Sequence, residues 1–373
     1  MSPEIWTFPV STHSAPVLSF GRDTAVRELL RPLEPFLAVP EATEIVINGP
    51  GEVLYEVGAG WQQAAVPELD HGWLWSLARA VATYTDQDIG PRHPILSAIL
   101  PAGQRVQVVV PPAVPAETIS LSIRLPAARV RRLQDYAAEG AFAQFRWASE
   151  PGKDLSALPG IDRNLVCALR DRDLAGFLAQ AVKGRRNIAV VGDTGSGKTT
   201  LMKTLCRDIP QHERIVTIED VRELELPDHG NTVHLLYSKG GQGVAEVTPA
   251  DLIAASMRMR PDRVLLAELR GSEAFDFLKL LTTGHSGSIT SFHAESCALA
   301  FERYVLMAKE HRDAAIFDAN GLKRLVMLTL DVILHVRAEG TFTAEAKGSK
   351  QRFVDEVWFD PGLKMRIQAS EPR

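Results

Sequence analysis

The stretch Asn187-Ile188-Ala189-Val190-Val191-Gly192-Asp193-Thr194-Gly195-Ser196-Gly197-Lys198-Thr199-Thr200 decides how the rest of the chain is read. An apolar run that suits a buried strand passes into a glycine-punctuated loop, and the loop passes into residues that suit a helix. Positions 192–199 match G-x-x-x-x-G-K-[ST] in the strand-to-helix setting that the motif requires. The glycines let successive backbone N–H groups turn inward around phosphate oxygens, and the positive end of the following helix dipole adds to the attraction. Gly192, Asp193, Thr194, Gly195, Ser196, Gly197, Lys198, Thr199 and Thr200 are therefore the candidate nucleotide cradle. Lys198 would reach the β- and γ-phosphates, and Thr199 would offer its hydroxyl to Mg²⁺.

Downstream, apolar runs at 214–220, 232–238, 263–269 and 288–293 alternate with helical patterns at 198–208, 249–259 and 273–283. Such alternation predicts βαβ units and a largely parallel sheet. Thr248-Pro249-Ala250-Asp251 offers a capping threonine, a proline at the first helical position and an acid at the third, and Pro261 stops that helix. Ser272 is a candidate cap for the next helix and Gly284 its terminator.

Upstream, residues 42–63 predict a strand, a turn at Asn48-Gly49-Pro50-Gly51 and a second strand, and 71–84 carries Trp73, Leu74, Leu77, Ala78 and Val81 at helical spacing. Two further β-type runs occupy 105–110 and 118–125, which makes the first third a small mixed α/β domain. Between 126 and 174 the chain turns to Arg129, Arg131 and Arg132 and then to the polar SEPGKDLSALPG, and reads as a long linker with some helix.

A site that hydrolyses a nucleoside triphosphate needs a carboxylate beside the metal and the attacking water, at the end of a neighbouring buried strand. Val264-Leu265-Leu266-Ala267-Glu268 ends one such strand, and Ile215-Val216-Thr217-Ile218-Glu219-Asp220 ends another. Two acidic strand ends in one parallel sheet favour a site, because ligands gather at the carboxyl edge of such sheets. His285 and His293 stand eight residues apart in TGHSGSITSFHA without a third close ligand, a spacing that does not suit a metal centre.

Bulk properties narrow the field. At 373 residues the chain has room for two domains, and 45% hydrophobic with 23% charged residues is ordinary for a folded protein. A net charge of -5 argues against bare nucleic acid as the partner, although Arg129–Arg132 could form a local basic patch. Three cysteines, 167, 206 and 297, are too few and too scattered for a disulfide framework or a zinc ribbon. The N-terminal segment has no basic start followed by an apolar run, and no later stretch is long enough to span a bilayer, so the expected setting is cytoplasmic with only peripheral membrane contact.

Taken together, GDTGSGKTT, RIVTIEDVRELEL, RMRPDRVLLAELRGSEAFDFLKLL and TGHSGSITSFHA resemble, in order and spacing, the Walker A, Asp box, Walker B and His box of the secretion-motor ATPases. The nearest likeness is to the traffic ATPase of bacterial type IV secretion systems and its conjugation relatives, and EIVINGPGEVLYE and GQRVQVVVPPAVPAETISLSIRLP resemble that family's N-terminal domain. The resemblance implies an α/β fold, a RecA-like P-loop ATPase domain with a largely parallel sheet over 175–373, preceded by a smaller mixed α/β domain over 1–125 and the 126–174 linker. It makes Lys198 and Thr199 the phosphate and Mg²⁺ contacts, Glu268 the acid that organises metal and water, and Glu219 a second acidic participant.

The same resemblance makes His285 and His293 sensors near the γ-phosphate, Arg105 and Arg124 arginines that close over the nucleotide, and Arg260 and Arg270 flanks of the Walker B strand. Ala267 departs from the glycine usual before that glutamate. The implied cofactors are ATP and Mg²⁺. The implied partners are five further copies in a homo-hexamer and the inner-membrane components of a secretion machine. A type II secretion or pilus motor is the runner-up within the superfamily, disfavoured by the lack of a paired-cysteine module. A nucleotide-gated assembly platform with little turnover is the rival from another class, disfavoured by the presence of both Glu219 and Glu268.

Overall fold

The computed structural model of the chain describes residues 21–40, 42–58, 60–125, 131–150, 154–237, 247–343 and 346–369, and their side chains except at 341–350. The N-terminal segment read above for targeting signals, through residue 20, and Arg129 of the basic run lie outside these residues.

The first unit is built on strands β1 (Ala42–Ile47), β2 (Glu52–Val57), β3 (Gly60–Ala65), β4 (Ile95–Ile99), β5 (Arg105–Val109) and β6 (Ser120–Arg124), in the antiparallel order β3-β2-β1-β6-β5-β4. The strand expected to run on to Gln63 turns instead at Gly58, at φ 65°, and comes back as β3. Glycine meets a positive φ without a Cβ clash, so the two-strand reading becomes three. Strand β4 is absent from the sequence reading because its five residues, between Pro94 and Pro101, are too short for a period of two to stand out.

One face of this sheet packs Ile45, Val106, Val108, Leu121 and Ile123 against Leu74, Leu77, Ala78 and Val81 of the helix His71–Tyr84. Asp70 caps that helix by accepting from the Trp73 N–H at 2.7 Å. The other face carries Glu44, Ser97, Arg105, Gln107, Ser122 and Arg124 towards the second unit.

The second sheet contains β7 (Arg146–Trp147), β8 (Ile188–Gly192), β9 (Ile215–Glu219), β10 (Thr232–Leu236), β11 (Arg263–Leu266), β12 (Ile289–Phe292), β13 (Val332–Thr343) and β14 (Ala346–Trp358). Its order is β10-β9-β11-β12-β8-β13-β14-β7, and all six strands from β10 to β13 are parallel. The inner strands β8, β9, β11 and β12 are buried on both faces, so they read as largely apolar runs. Ile188 and Val190 join one core while Ala189 and Val191 join the other. Thr248 and Asp251 cap the helix Pro249–Ser256 reciprocally, as the sequence predicts. Ser272 makes no side-chain cap; the Glu273 carboxylate instead takes the N–H groups of Arg270 and Gly271, at 2.6 and 3.0 Å.

The described part of 126–174 is not a free connection. It forms the helices Leu133–Ala138 and Gly160–Arg170 and the strand β7, and sends Leu133, Tyr136, Phe142, Phe145, Leu165 and Leu169 into the core beneath β8. Its apolar residues belong to short pieces broken by glycine and proline, so no single period runs through them.

Candidate active site

The carboxyl ends of β8, β9, β11 and β12 lie side by side under the polar face of the first sheet, and the cleft between them holds about 1100 Å³. The loop after β8 is shaped by its glycines. Gly192 has φ 150°, and a Cβ there would lie 2.2 Å from the Val336 carbonyl oxygen; Gly195 and Gly197 have φ of 74° and 98°. Lys198 opens the helix Lys198–Cys206 and folds back over the loop, donating from Nζ to the carbonyls of Gly192 and Asp193 at 2.9 and 2.8 Å. Burial lowers its pKa to about 8, with Arg124 pushing the same way and Glu268 against. The Ser196 hydroxyl is buried without a partner among the described residues. Thr194, Gly195, Gly197, Thr199 and Thr200 line the cleft, while Asp193 is exposed at its rim.

Glu268 follows β11 and is held from two sides. Its Oε1 is 3.1 Å from His293 Nε2, and its Oε2 accepts from Arg270 Nε at 2.7 Å. The other ring nitrogen of His293 lies 3.4 Å from Lys198 Nζ. Burial, together with the Lys198 charge, lowers the pKa of His293, so the neutral ring is favoured, with its proton on Nε2 towards the carboxylate. Arg270 also pairs with Asp220; burial works against its charge, but the two carboxylates outweigh burial and raise its pKa.

Asp220 in turn meets Arg105 of the first unit, whose Nη2 is 3.6 Å from Oδ2, and Arg105 Nη1 also pairs with Glu223. Arg105 and Arg124 stand directly opposite each other on β5 and β6. Like charges so placed repel, an arrangement that suits a site awaiting an anion.

Three expected site residues are elsewhere. Glu219 is 1% exposed and looks into the fold: Oε2 accepts from the Glu223 and Leu224 N–H groups, both at 2.8 Å, and Oε1 from the Thr217 hydroxyl at 2.8 Å. Consecutive strand residues point to opposite sides, so when Glu219 faces inward Asp220 faces the cleft. The Thr217–Glu219 spacing of two residues was the available signal. His285 lies before β12 and bonds Thr283 Oγ1 at 3.0 Å, so the length of the strand, roughly 13 Å, separates it from the His293 end. Arg260 is exposed at φ 51° just before β11, at the same amino-terminal edge. The sequence reading quotes Asp220 without a site role and does not name Tyr237; both line the cleft, Glu223 pairs with Arg105, and Arg352 bonds the loop from behind.

No group of three or more His, Cys, Asp and Glu side chains that could hold a metal occurs among the described residues. The donor set, one threonine hydroxyl and carboxylates beside a phosphate cradle, fits Mg²⁺ held in large part by nucleotide oxygens and water.

Comparison with known proteins supplies the rest. The family described as Type II/IV secretion system protein matches residues 165–349. The type IV secretion system protein VirB11 of Brucella suis is 44% identical over 354 residues, 94% of this chain and 95% of that protein. PtlH, a type IV secretion system protein of Bordetella pertussis, is 41% identical over 349 residues, 92% of this chain and 97% of that one. The crystal structure of the B. suis VirB11 ATPase in complex with sulphate matches with a TM-score of 0.51, covering 94% of this chain and 98% of that one at 44% identity.

Proposed function

The chain belongs to the VirB11 family of type IV secretion ATPases, and from that premise we propose that ATP is hydrolysed in the cleft between its two units, by a ring of six copies, to power assembly of a bacterial secretion machine or transport through it. The observation that carries the reading is the Glu268 carboxylate held between His293 and Arg270 at the mouth of the phosphate loop. We divide the chain into a first unit up to about residue 125 and an ATPase unit from 131 onward, which includes the helices Leu133–Ala138 and Gly160–Arg170.

In this reading the loop N–H groups and the Ser196 hydroxyl receive phosphate oxygens, and Lys198 exchanges the Gly192 and Asp193 carbonyls for the β- and γ-phosphates. Thr199 and Glu268 would hold Mg²⁺, which would supply charge neutralisation of the phosphates. Glu268 orients the attacking water and takes its proton. His293 touches both Lys198 and Glu268, so it senses whether Lys198 has been drawn to a γ-phosphate and turns that into the aim of the carboxylate. Arg270 and Asp220 carry the same information to Arg105, and Arg105 and Arg124 close over the triphosphate as a planar fork can. His285 and Arg260, at the far edge, have no part in this cleft of the single chain.

No helix among the described residues is long and apolar enough to cross a membrane. We place the protein at the cytoplasmic face of the inner membrane through contacts with membrane-embedded secretion components, with no direct part for nucleic acid. The test is steady-state ATP hydrolysis. Lys198→Ala is expected to abolish turnover with the fold intact, and Glu268→Gln to keep ATP binding while slowing turnover about 10²-fold or more. Turnover near wild type in Lys198→Ala would remove the loop from the reaction.

A further inference from the structure

The long hairpin of β13 and β14 runs past the end of β8, and it meets the phosphate loop twice. Beneath the loop, Val336 pairs with Gly192, close enough that only glycine fits there. On the loop's outer side, Arg352 of β14 donates from Nε to the Gly195 carbonyl at 3.1 Å, and its Cδ stands 3.0 Å from where a Gly197 Cβ would be. The side chain is half-buried and, among the described residues, makes that one hydrogen bond and no ion pair. Among the described residues, the charges that act on it include Glu56, Arg131 and Arg124.

We propose that Arg352 is a positioning residue for nucleotide binding, bracing the phosphate loop from outside through the Gly195 carbonyl. This rests on the assignment of 192–199 as the nucleotide cradle. In such a loop the carbonyls must turn outward for the following N–H groups to turn inward, and a fixed donor on the outside holds that orientation before any phosphate arrives. An arginine is suited because its Nε–H lies in the guanidinium plane and is directed by the packed stem. Its charge is disfavoured by burial, with Arg131 and Arg124 adding to this and Glu56 opposing, a cost in the empty site that a polyanion relieves. Gly197 is then glycine for two reasons, its φ of 98° and the Arg352 stem laid against it.

The test compares wild type, Arg352→Met and Arg352→Lys for binding of a fluorescent ADP analogue, for kcat and KM with ATP, and for amide exchange over 193–197 in the nucleotide-free protein. Arg352→Met is expected to raise the ADP Kd and the ATP KM about tenfold, with kcat within about threefold, and to speed loop exchange. Arg352→Lys keeps the charge without the directed Nε–H and is expected to fall between the two. Unchanged Kd and loop exchange in Arg352→Met, with or without a lower Tm, would overturn the brace. If Arg352→Met does not fold, the lysine variant decides, and wild-type Kd and exchange in it would overturn the brace equally. Failure of the wild-type protein to bind the ADP analogue would sink the cradle assignment itself, a result distinct from either of these.

Discussion

Lys198 shows how a single residue carries a pH signature. Its pKa of about 8 lies below the ordinary 10.5, so between those values the unfolded chain binds more protons than the folded one, and the contribution of this residue to stability rises with pH through that window. Phosphates restore the charged form, so nucleotide binding near pH 8 is expected to take up protons, and affinity to fall as pH rises past that point. Titration calorimetry in buffers of differing ionisation enthalpy measures the uptake; none at pH 8 would contradict the buried-lysine geometry. The adjacent acids Glu219 and Asp220 divide differently. Removing the buried Glu219 carboxylate orphans the Glu223 and Leu224 N–H groups, at about 1–3 kcal/mol for each donor left unpaired, while the Thr217 hydroxyl keeps His234 as a partner, so Glu219→Ala should chiefly lower Tm. Asp220→Ala should leave Tm nearly unchanged and instead reduce turnover, since it frees both Arg270 and Arg105. Thermal melts and ATPase rates on the two variants decide, and equal effects on both readouts would refute the division.

Among the elements, the described pieces between 131 and 174 pack into the core beneath β8. Phe145 is 2% exposed in the core that also contains Val190 and Leu201, beneath the strand and helix that frame the phosphate loop. Phe145→Ala is therefore expected to cost roughly 3–5 kcal/mol and to loosen amide protection in β8 as well as nearby. Denaturant unfolding and exchange would show it; a loss confined to 131–174 would mean that those helices fold apart from the sheet. The β13–β14 hairpin is the other element whose role exceeds its local pattern, since Val332–Val336 pair alongside β8 and Arg352, opposite Ala338, reaches the loop.

For the whole molecule, the consequential feature is a chain of ion pairs from the first unit to Glu268: Arg105 to Asp220, Asp220 to Arg270, Arg270 to Glu268. Carboxylates of the second unit already hold Arg105, so in the closure we propose these partners are exchanged for phosphate oxygens. A ligand shifts such an equilibrium only by its differential affinity, and ATP offers the γ-phosphate that ADP lacks. Alanine at Arg105 or Arg124 should weaken ATP binding or turnover more than ADP binding, and should loosen the first unit in hydrogen exchange with ATP bound. Wild-type turnover in both variants, without nucleotide-dependent protection of the first unit, would end the closure account.

The sequence by itself determined the phosphate loop, the strands β8, β9, β11 and β12, the capped helix after Thr248 and the acid Glu268, because each depends on neighbours within a few residues: a glycine's φ, a cap, an apolar run bounded by turns. Only the tertiary structure decided which acidic residue of the Asp box faces the cleft, that His285 and Arg260 stand at the far edge of the sheet while His293 and Arg270 stand at the near one, and that Arg352 reaches the loop from 157 positions beyond Gly195. Strand direction, face and register set those placements. They are fixed by pairing between segments far apart in the chain, which no local period records.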